Sequence, residues 1–225
     1  MLLLYNVIID KIKKDKYDKI FSDIFRSFNC DFAVKYLEDK FDESELSGYS
    51  HLLVTGSELF ASESNWQNEK VFRIIDIFAK QDKAILGICY GHQMIAKTLA
   101  GPRACRKAKQ PEFGWKKISL TPNPLFEGIK NRVFYESHYD EVSNLNNSFN
   151  IIATDEEGIV QAFQYKNLPI WGVQFHPEID YENGENSIQE RFKKQPELKK
   201  YYRNEMNKAE NFEERLLIFK NFITA

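Results

Sequence analysis

The residues in this chain best arranged for chemistry are Gly87-Ile-Cys89-Tyr-Gly91. An apolar run from Ala84 to Ile88, short and branched enough for a buried strand, leads into them, and a helical pattern closed by Gly101 follows. A glycine-x-nucleophile-x-glycine turn between a strand and a helix pushes its central side chain out at the top of a sheet, because the small neighbours let the backbone pass. Here that side chain is a thiol at a helix N-terminus, where the helix dipole favours the thiolate, the form that attacks carbonyls. Cys89 is therefore the candidate nucleophile. Cys30, in Asn29-Cys30-Asp31, and Cys105, in the basic stretch Arg103-Ala-Cys-Arg-Lys-Ala-Lys109, lack such a setting and read as structural.

A thiol nucleophile needs a base, and two histidines compete for the role. The strand pattern Trp171-Gly-Val-Gln-Phe ends in His176-Pro-Glu178. The proline stops the strand from continuing regularly and leaves His176 at a carboxyl edge, where α/β sheets build their clefts. Glu178 can accept from one ring nitrogen while the other faces the thiol, making a Cys-His-Glu triad. His138, in Glu136-Ser-His-Tyr-Asp140, is the competing base, with Asp140 as its short-range carboxylate. The elbow with a strand-end His-Pro-Glu is the tighter combination and ranks His176 first. His92 reads as a packed neutral ring in the helix after Cys89, and His51 as a strand-edge residue. For the oxyanion of an acyl-transfer intermediate, the N–H of Tyr90 and the turn Gly56-Ser57 offer backbone donors, provided their two strands are neighbours.

The elements that must hold these groups are legible as patterns. Met1 to Ile9 reads as a first strand rather than a signal peptide, since it has no basic start, is broken at Asn6 and is followed by no small-residue cleavage site. Lys16 to Phe28 carries Tyr17, Ile20, Phe21, Ile24, Phe25 and Phe28 at helical spacing, a stripe that reads as core. Phe32–Leu37 and His51–Thr55 are the next strands, and an Asn65-capped helix should turn Trp66, Val71, Ile74, Ile75 and Phe78 inward. After Gly101 a basic loop is expected from Pro102 to Pro111. Short strands then follow at Phe113–Leu120, Arg132–His138, Phe149–Ala153, Ile159–Tyr165 and Ile170–Phe175, the last of them carrying His176. From Asn186 the tail is polar, with helical patches such as Phe212 to Phe222. The expected fold is α/β: a mixed, mostly parallel sheet flanked by helices with an added antiparallel ribbon, in a single domain over residues 1–225.

Composition narrows the function. The 225 residues carry 31 basic against 33 acidic side chains, a net charge of −2, and give no electrostatic argument for nucleic acid or a membrane surface. Three cysteines with no C-x-x-C pair make neither a disulfide framework nor a zinc site, and fit a reduced, cytoplasmic setting. No apolar stretch approaches the roughly 20 residues of a membrane span. Paired glycosidase carboxylates, a P-loop, a dinucleotide fingerprint and a histidine metal cluster are missing from the sequence.

Leu86-Gly-Ile-Cys-Tyr-Gly-His-Gln93 together with Gly172-Val-Gln-Phe-His-Pro-Glu178 resembles the class I glutamine amidotransferases. Glu112-Phe-Gly-Trp115, Ser137-His-Tyr-Asp140 and Glu157-Gly-Ile-Val-Gln-Ala-Phe163 are similar to weaker motifs of the family, so the resemblance covers about residues 50 to 180. It implies a flavodoxin-like fold, a triad of Cys89, His176 and Glu178, and a glutamine held by Gln93 and the backbone around His138 and Tyr139. Gly56-Ser57 departs from the Gly-Gly common in the family, and no ATP-using synthetase motif accompanies the elbow.

The chemistry expected is thiolate attack on the side-chain amide of glutamine or another γ-glutamyl compound, then hydrolysis of a glutamyl thioester, with no metal or organic cofactor. Three classes stay open. One is a glutaminase subunit feeding a separate synthetase. The second is a free-standing γ-glutamyl amide hydrolase or transferase, which the missing synthetase motif and Gly56-Ser57 favour. The third is a binding protein on the same fold, against which the complete apparent triad stands.

Overall fold

The computed structural model describes residues 1–206 and 212–225, Phe212 by its backbone only. Its elements in chain order are β1 (Leu2–Asn6), α1 (Lys11–Ser27), β2 (Phe32–Tyr36), α2 (Glu43–Leu46), β3 (His51–Val54), α3 (Trp66–Lys80), β4 (Ala84–Ile88) and α4 (Tyr90–Ala100). Then come β5 (Cys105–Lys117), β6 (Ser119–Leu120), β7 (Val133–Val142), β8 (Phe149–Thr154), β9 (Val160–Tyr165), β10 (Ile170–Val173), α5 (Tyr181–Lys194), β11 (Tyr202–Asn204) and α6 (Phe212–Ile223).

The strands join one 11-stranded mixed sheet in the order β11-β5-β7-β9-β10-β4-β3-β1-β2, with β8 and β6 branching from β9. The run β2-β1-β3-β4-β10 is parallel and has the flavodoxin-like order. From β10 the sheet continues antiparallel through β9, β7 and β5. Parallel strands covered on both faces should be apolar throughout, and β1 and β4 are buried at every position. Successive side chains alternate faces. Leu2, Leu4, Leu53, Leu86 and Ile88 pack on one side with Phe21 and Phe25 of α1 and Phe219 and Phe222 of α6. Leu3, Tyr5, Leu52, Val54 and Ile85 pack on the other with Val71, Ile75 and Phe78 of α3 and Met94 and Ile95 of α4. Each such side chain removed from water stabilises the fold by about 1.5–3 kcal/mol before conformational entropy is counted. Asp10, Asn65 and Asp180 cap α1, α3 and α5 through side-chain bonds to the N–H three residues on.

Several expectations need correction. The segment expected as a loop from Pro102 to Pro111 is strand from Cys105 onward: β5 pairs antiparallel with β7 at Cys105–Lys107 and again from Glu112, with a register shift between. Its first half is largely exposed and charged, so nothing apolar announced it. β7 runs on to Val142 instead of stopping at His138, because Asp140–Val142 are buried and pair with Cys105–Lys107. Trp66, expected to face inward, is 61% exposed on the first turn of α3. Ile170–Val173 is not the final strand, since β11 adds parallel to β5. Between them lies α5, a helix that begins before the polar tail was expected to start and buries Gly184, Ile188 and Phe192. Among the described residues no helix is long and apolar enough to cross a membrane.

Candidate active site

Cys89 sits at the joint between β4 and α4 with φ 50° and ψ −102°. A side-chain-bearing residue there stores roughly 1–3 kcal/mol of strain, which the surroundings must enforce. The Cys89 N–H donates to Val173 O at 2.8 Å and its carbonyl accepts from Gln93 N at 3.1 Å. The flanking glycines let α4 close onto the strands. A Cβ on Gly87 would lie 2.4 Å from the Gly91 carbonyl, and one on Gly91 only 2.3 Å from Val54 O.

His176 is carried by the chain leaving β10 and is tied back to β7, its N–H donating to Tyr135 O at 2.9 Å. Its Nδ1 lies 2.8 Å from Glu178 Oε1, and the ring lines the same cleft as the Cys89 thiol. Burial opposes protonation of this imidazole, but the Glu178 carboxylate and the Cys89 sulfur outweigh it and push the pKa up to about 10.

Because β3 and β4 are neighbours, Gly56 comes up against both groups. A Cβ there would stand 3.0 Å from His176 Cε1 and 3.6 Å from Cys89 Cβ. Thr55 Oγ1 donates to Gly56 O at 2.9 Å. The planar trans peptide then turns the Ser57 N–H the opposite way. The Ser57 hydroxyl itself is committed to Val7 O at 2.7 Å. Tyr90 opens α4, so its N–H has no acceptor within the helix.

These groups open into a cleft of about 510 Å³, within the range of small-ligand sites. Tyr17, Phe60, Tyr139 and Arg191 complete its walls. A second concavity of about 570 Å³, bordered by Leu120, Pro122, Phe126 and Arg132, contains no thiol or histidine.

The remaining expected site residues fall differently. Gln93 lines the cleft, but its amide nitrogen donates to Asp140 O at 2.9 Å and Gln174 Oε1 at 3.0 Å, so it pins the end of β7. His92 is fully buried, stacked on Phe163 at 4.7 Å, and burial pushes its pKa down to about 3. Cys105 is buried, which pushes its thiol well up, and Cys30 is raised by burial as well.

His138 is where the sequence reading of partners fails. The Asp140 carboxylate, its expected partner, instead accepts from Ser62 N at 2.9 Å. The His138 ring is 2.9 Å from Asp140 O through Nδ1, and its Nε2 faces Glu112 Oε2 at 3.0 Å and Glu136 Oε2 at 3.2 Å. Lys116 adds a second cation, bonding Glu112 and, at 3.1 Å, Asp155. Burial disfavours the His138 imidazolium, yet the two carboxylates hold its pKa well above the ordinary value. Glu112, Glu136 and His138 offer three metal-ligand atoms within 4.8 Å of one another, but the His138 ring and Lys116 already engage both carboxylates.

Both ring nitrogens are thus occupied, which suits a structural ion pair better than a base. Replacing His138 by alanine should strand two buried carboxylates and cost about 3–5 kcal/mol. Since the folded pKa is raised, this stabilisation is complete below the unfolded value of about 6.5 and disappears as pH rises through the folded one. Urea midpoints of parent and variant across pH check this: they should converge at alkaline pH. Equal midpoints at neutral pH would refute it.

Sequence reasoning missed Tyr17 and Arg191 as cleft residues. Tyr17 was read wholly as core, although it is only partly buried and its phenol lies in the field of Glu178 and Cys89. Arg191 lies on α5, whose signals were its place soon after His176-Pro-Glu178 and its Asp180 cap.

The glutamine amidotransferase class-I family profile matches residues 8–195. A glutamine-hydrolyzing GMP synthase subunit from Thermoplasma acidophilum is 34% identical over 150 residues, 66% of this chain and 72% of that protein. The equivalent subunit from Pyrococcus abyssi is 35% identical over 119 residues, 52% of this chain and 62% of that one. A Thermoplasma acidophilum protein, its crystal structure solved as that of a candidate GMP synthase subunit, superposes with TM-score 0.70 at 27% identity over 100% of this chain and 93% of that one. A Thermotoga maritima glutamine amidotransferase shares the fold at TM-score 0.70 and 24% identity, over 98% and 90% of the two chains. With Cys89 of its strand-to-helix turn and His176 of its strand end lining one cleft, this chain belongs to the class I glutamine amidotransferases.

Proposed function

We propose that this chain, acting as one domain, hydrolyses glutamine through a Cys89 thioester and supplies the ammonia to a separate ATP-dependent synthetase, as the glutaminase subunit of a GMP synthase-type enzyme. The observation that carries the chemistry is Cys89 and His176 lining one cleft, with His176 Nδ1 2.8 Å from the buried Glu178 carboxylate. The Cys89 sulfur adds to the amide carbon, and the oxyanion is received by the N–H groups of Tyr90 and the Gly56-Ser57 turn. Each such donor is worth about 10²- to 10³-fold in rate. His176 gives its proton to the nitrogen as the C–N bond breaks, and ammonia leaves. His176 then takes a proton from water, whose oxygen attacks the thioester, releasing glutamate and restoring the thiol. Glu178 fixes the tautomer and stabilises the cation throughout. Gln93 holds the Asp140 backbone, and His138 and Tyr139 shape the wall where the substrate lies.

The reading with a separate synthetase moves ahead of the free-standing hydrolase because relatives in two archaea are named as a subunit of glutamine-hydrolyzing GMP synthase. Glutamate release from glutamine and from γ-glutamyl dipeptides, measured with and without a GMP synthase-type synthetase chain, tests the choice. Slow release that rises at least about tenfold with the synthetase is expected. Full turnover alone, with peptides used as readily as glutamine, would favour the hydrolase.

A further inference from the structure

We infer that Arg191 is the receptor for the α-carboxylate of the substrate, and so selects free glutamyl amides over other amides; this rests on the glutaminase reading above. Arg191 reaches the cleft from α5 and is only partly buried. Its guanidinium lies 4.9 Å from the Phe113 ring centre and 5.7 Å from that of Tyr139. Nη1 donates to Tyr139 Oη and Nη2 to Ser137 Oγ, each at 3.2 Å. Both acceptors are neutral. Among the described residues no carboxylate forms an ion pair with Arg191.

The other basic groups of the cleft differ. Lys13 is paired with Glu58 at 3.1 Å, and Lys16 and Lys194 are exposed ends. Arg191 is therefore held rigidly by aromatic faces and hydroxyls while its charge is left uncompensated. A guanidinium has five donors in a fixed fork, and two are spent here, so three stay available for a planar anion. A carboxylate is the planar anion that a glutamine substrate brings.

The placement also suits the reach of the substrate. Ser137, which accepts from Arg191, lines the cleft beside Tyr135, whose ring centre is 5.8 Å from that of His176. Arg191, Tyr135 and Cys89 all line the one cleft. Four carbon–carbon bonds separate the amide carbon of glutamine from its α-carboxylate, a span of about 5 Å when extended. Tyr139 becomes the positioning residue for Arg191, stacking on it and accepting its proton while its own hydroxyl donates to Gln195 Oε1 at 3.3 Å.

The test is covalent labelling of Cys89, which does not depend on a partner chain. The probe is glutamine with its side-chain amide replaced by a diazomethyl ketone. The sulfur bonds the diazo carbon, His176 supplies the proton and dinitrogen leaves. A second probe carries the same group with the α-carboxyl converted to a neutral amide, and iodoacetamide reports bare thiol reactivity. In Arg191→Met the second-order rate with the acidic probe should fall about 10- to 100-fold. The neutral probe and iodoacetamide should keep their parent rates, and Arg191→Lys should recover part of the loss with the acidic probe. Equal slowing with both probes, or slowing with neither, would overturn the assignment while leaving the thiol chemistry intact. If the acidic probe labels the parent at Cys30 or Cys105 rather than Cys89, the glutaminase reading itself falls, and this inference with it.

Discussion

Replacement of Cys89 by alanine should leave a folded chain whose glutamate release is reduced about 10⁴-fold or more, to the level of substrate binding without a nucleophile. The size of the effect follows from the mechanism, because no other group in the cleft can form the thioester. Fold integrity follows from the position: the truncated thiol faces the cleft, and Cys89 contributes one sulfur to a core built mainly from Leu, Ile and Phe. The backbone strain makes a second readout. At φ 50° and ψ −102° the Cβ itself is disfavoured, so Cys89→Gly should abolish turnover and yet unfold at higher temperature than Cys89→Ala. The elbow assignment would not survive residual turnover in Cys89→Ala that is lost on mutating Cys105, nor a glutamyl adduct found by mass spectrometry on Cys30.

The second large effect concerns His176. Its removal in His176→Ala should cost about 10³- to 10⁴-fold, since the leaving nitrogen needs its proton and the attacking water must give one to it. The pH profile carries the sharper information. With a pKa pushed up to about 10 by Glu178 and Cys89 against the opposing effect of burial, the imidazolium persists through neutral pH. Turnover should therefore decline on the alkaline side with a midpoint about 10, not near the 6.5 of an unperturbed histidine. Glu178→Gln removes the carboxylate 2.8 Å from Nδ1. The alkaline limb should then move down toward the ordinary value, and the rate should fall about 10²- to 10⁴-fold. Because the folded pKa is raised, the His176 contribution to stability is complete below about 6.5 and is lost as pH climbs through the folded value. A His138→Ala enzyme as inactive as His176→Ala, at a temperature where both are folded, would reverse the assignment of the base.

What could be read from the chain is what local sequence encodes. Strands β1 and β4 announce themselves because burial on both faces demands uninterrupted apolar runs. The elbow is legible because a nucleophile on a sharp strand-to-helix joint requires small flanking residues, and the Gly87 and Gly91 contacts show why. His176 and Glu178 are two residues apart, so their pairing is a local event. The proposal of a separate synthetase is different in kind: the residues alone leaned toward a free-standing hydrolase, and only the names of relatives favour the subunit reading.

What the tertiary structure decided are the pairings between distant strands. The partners of His138 are Glu112, which β5 brings across to β7, and Glu136, one strand-face repeat away; the nearer Asp140 turns to Ser62 instead. The exposed, charged first half of β5 forms a strand only because β7 lies beside it, a pairing that no periodicity in residues 105–111 encodes. Arg191 enters the cleft because α5 folds back over β5 and β7, where Phe113 and Tyr139 hold its guanidinium. Local sequence determined the candidate nucleophile, its elbow and the histidine ranked as its base, because each depends on neighbours along the chain. The charges around them were decided by which strands and helices the fold sets side by side, since electrostatic partners are chosen by distance in space.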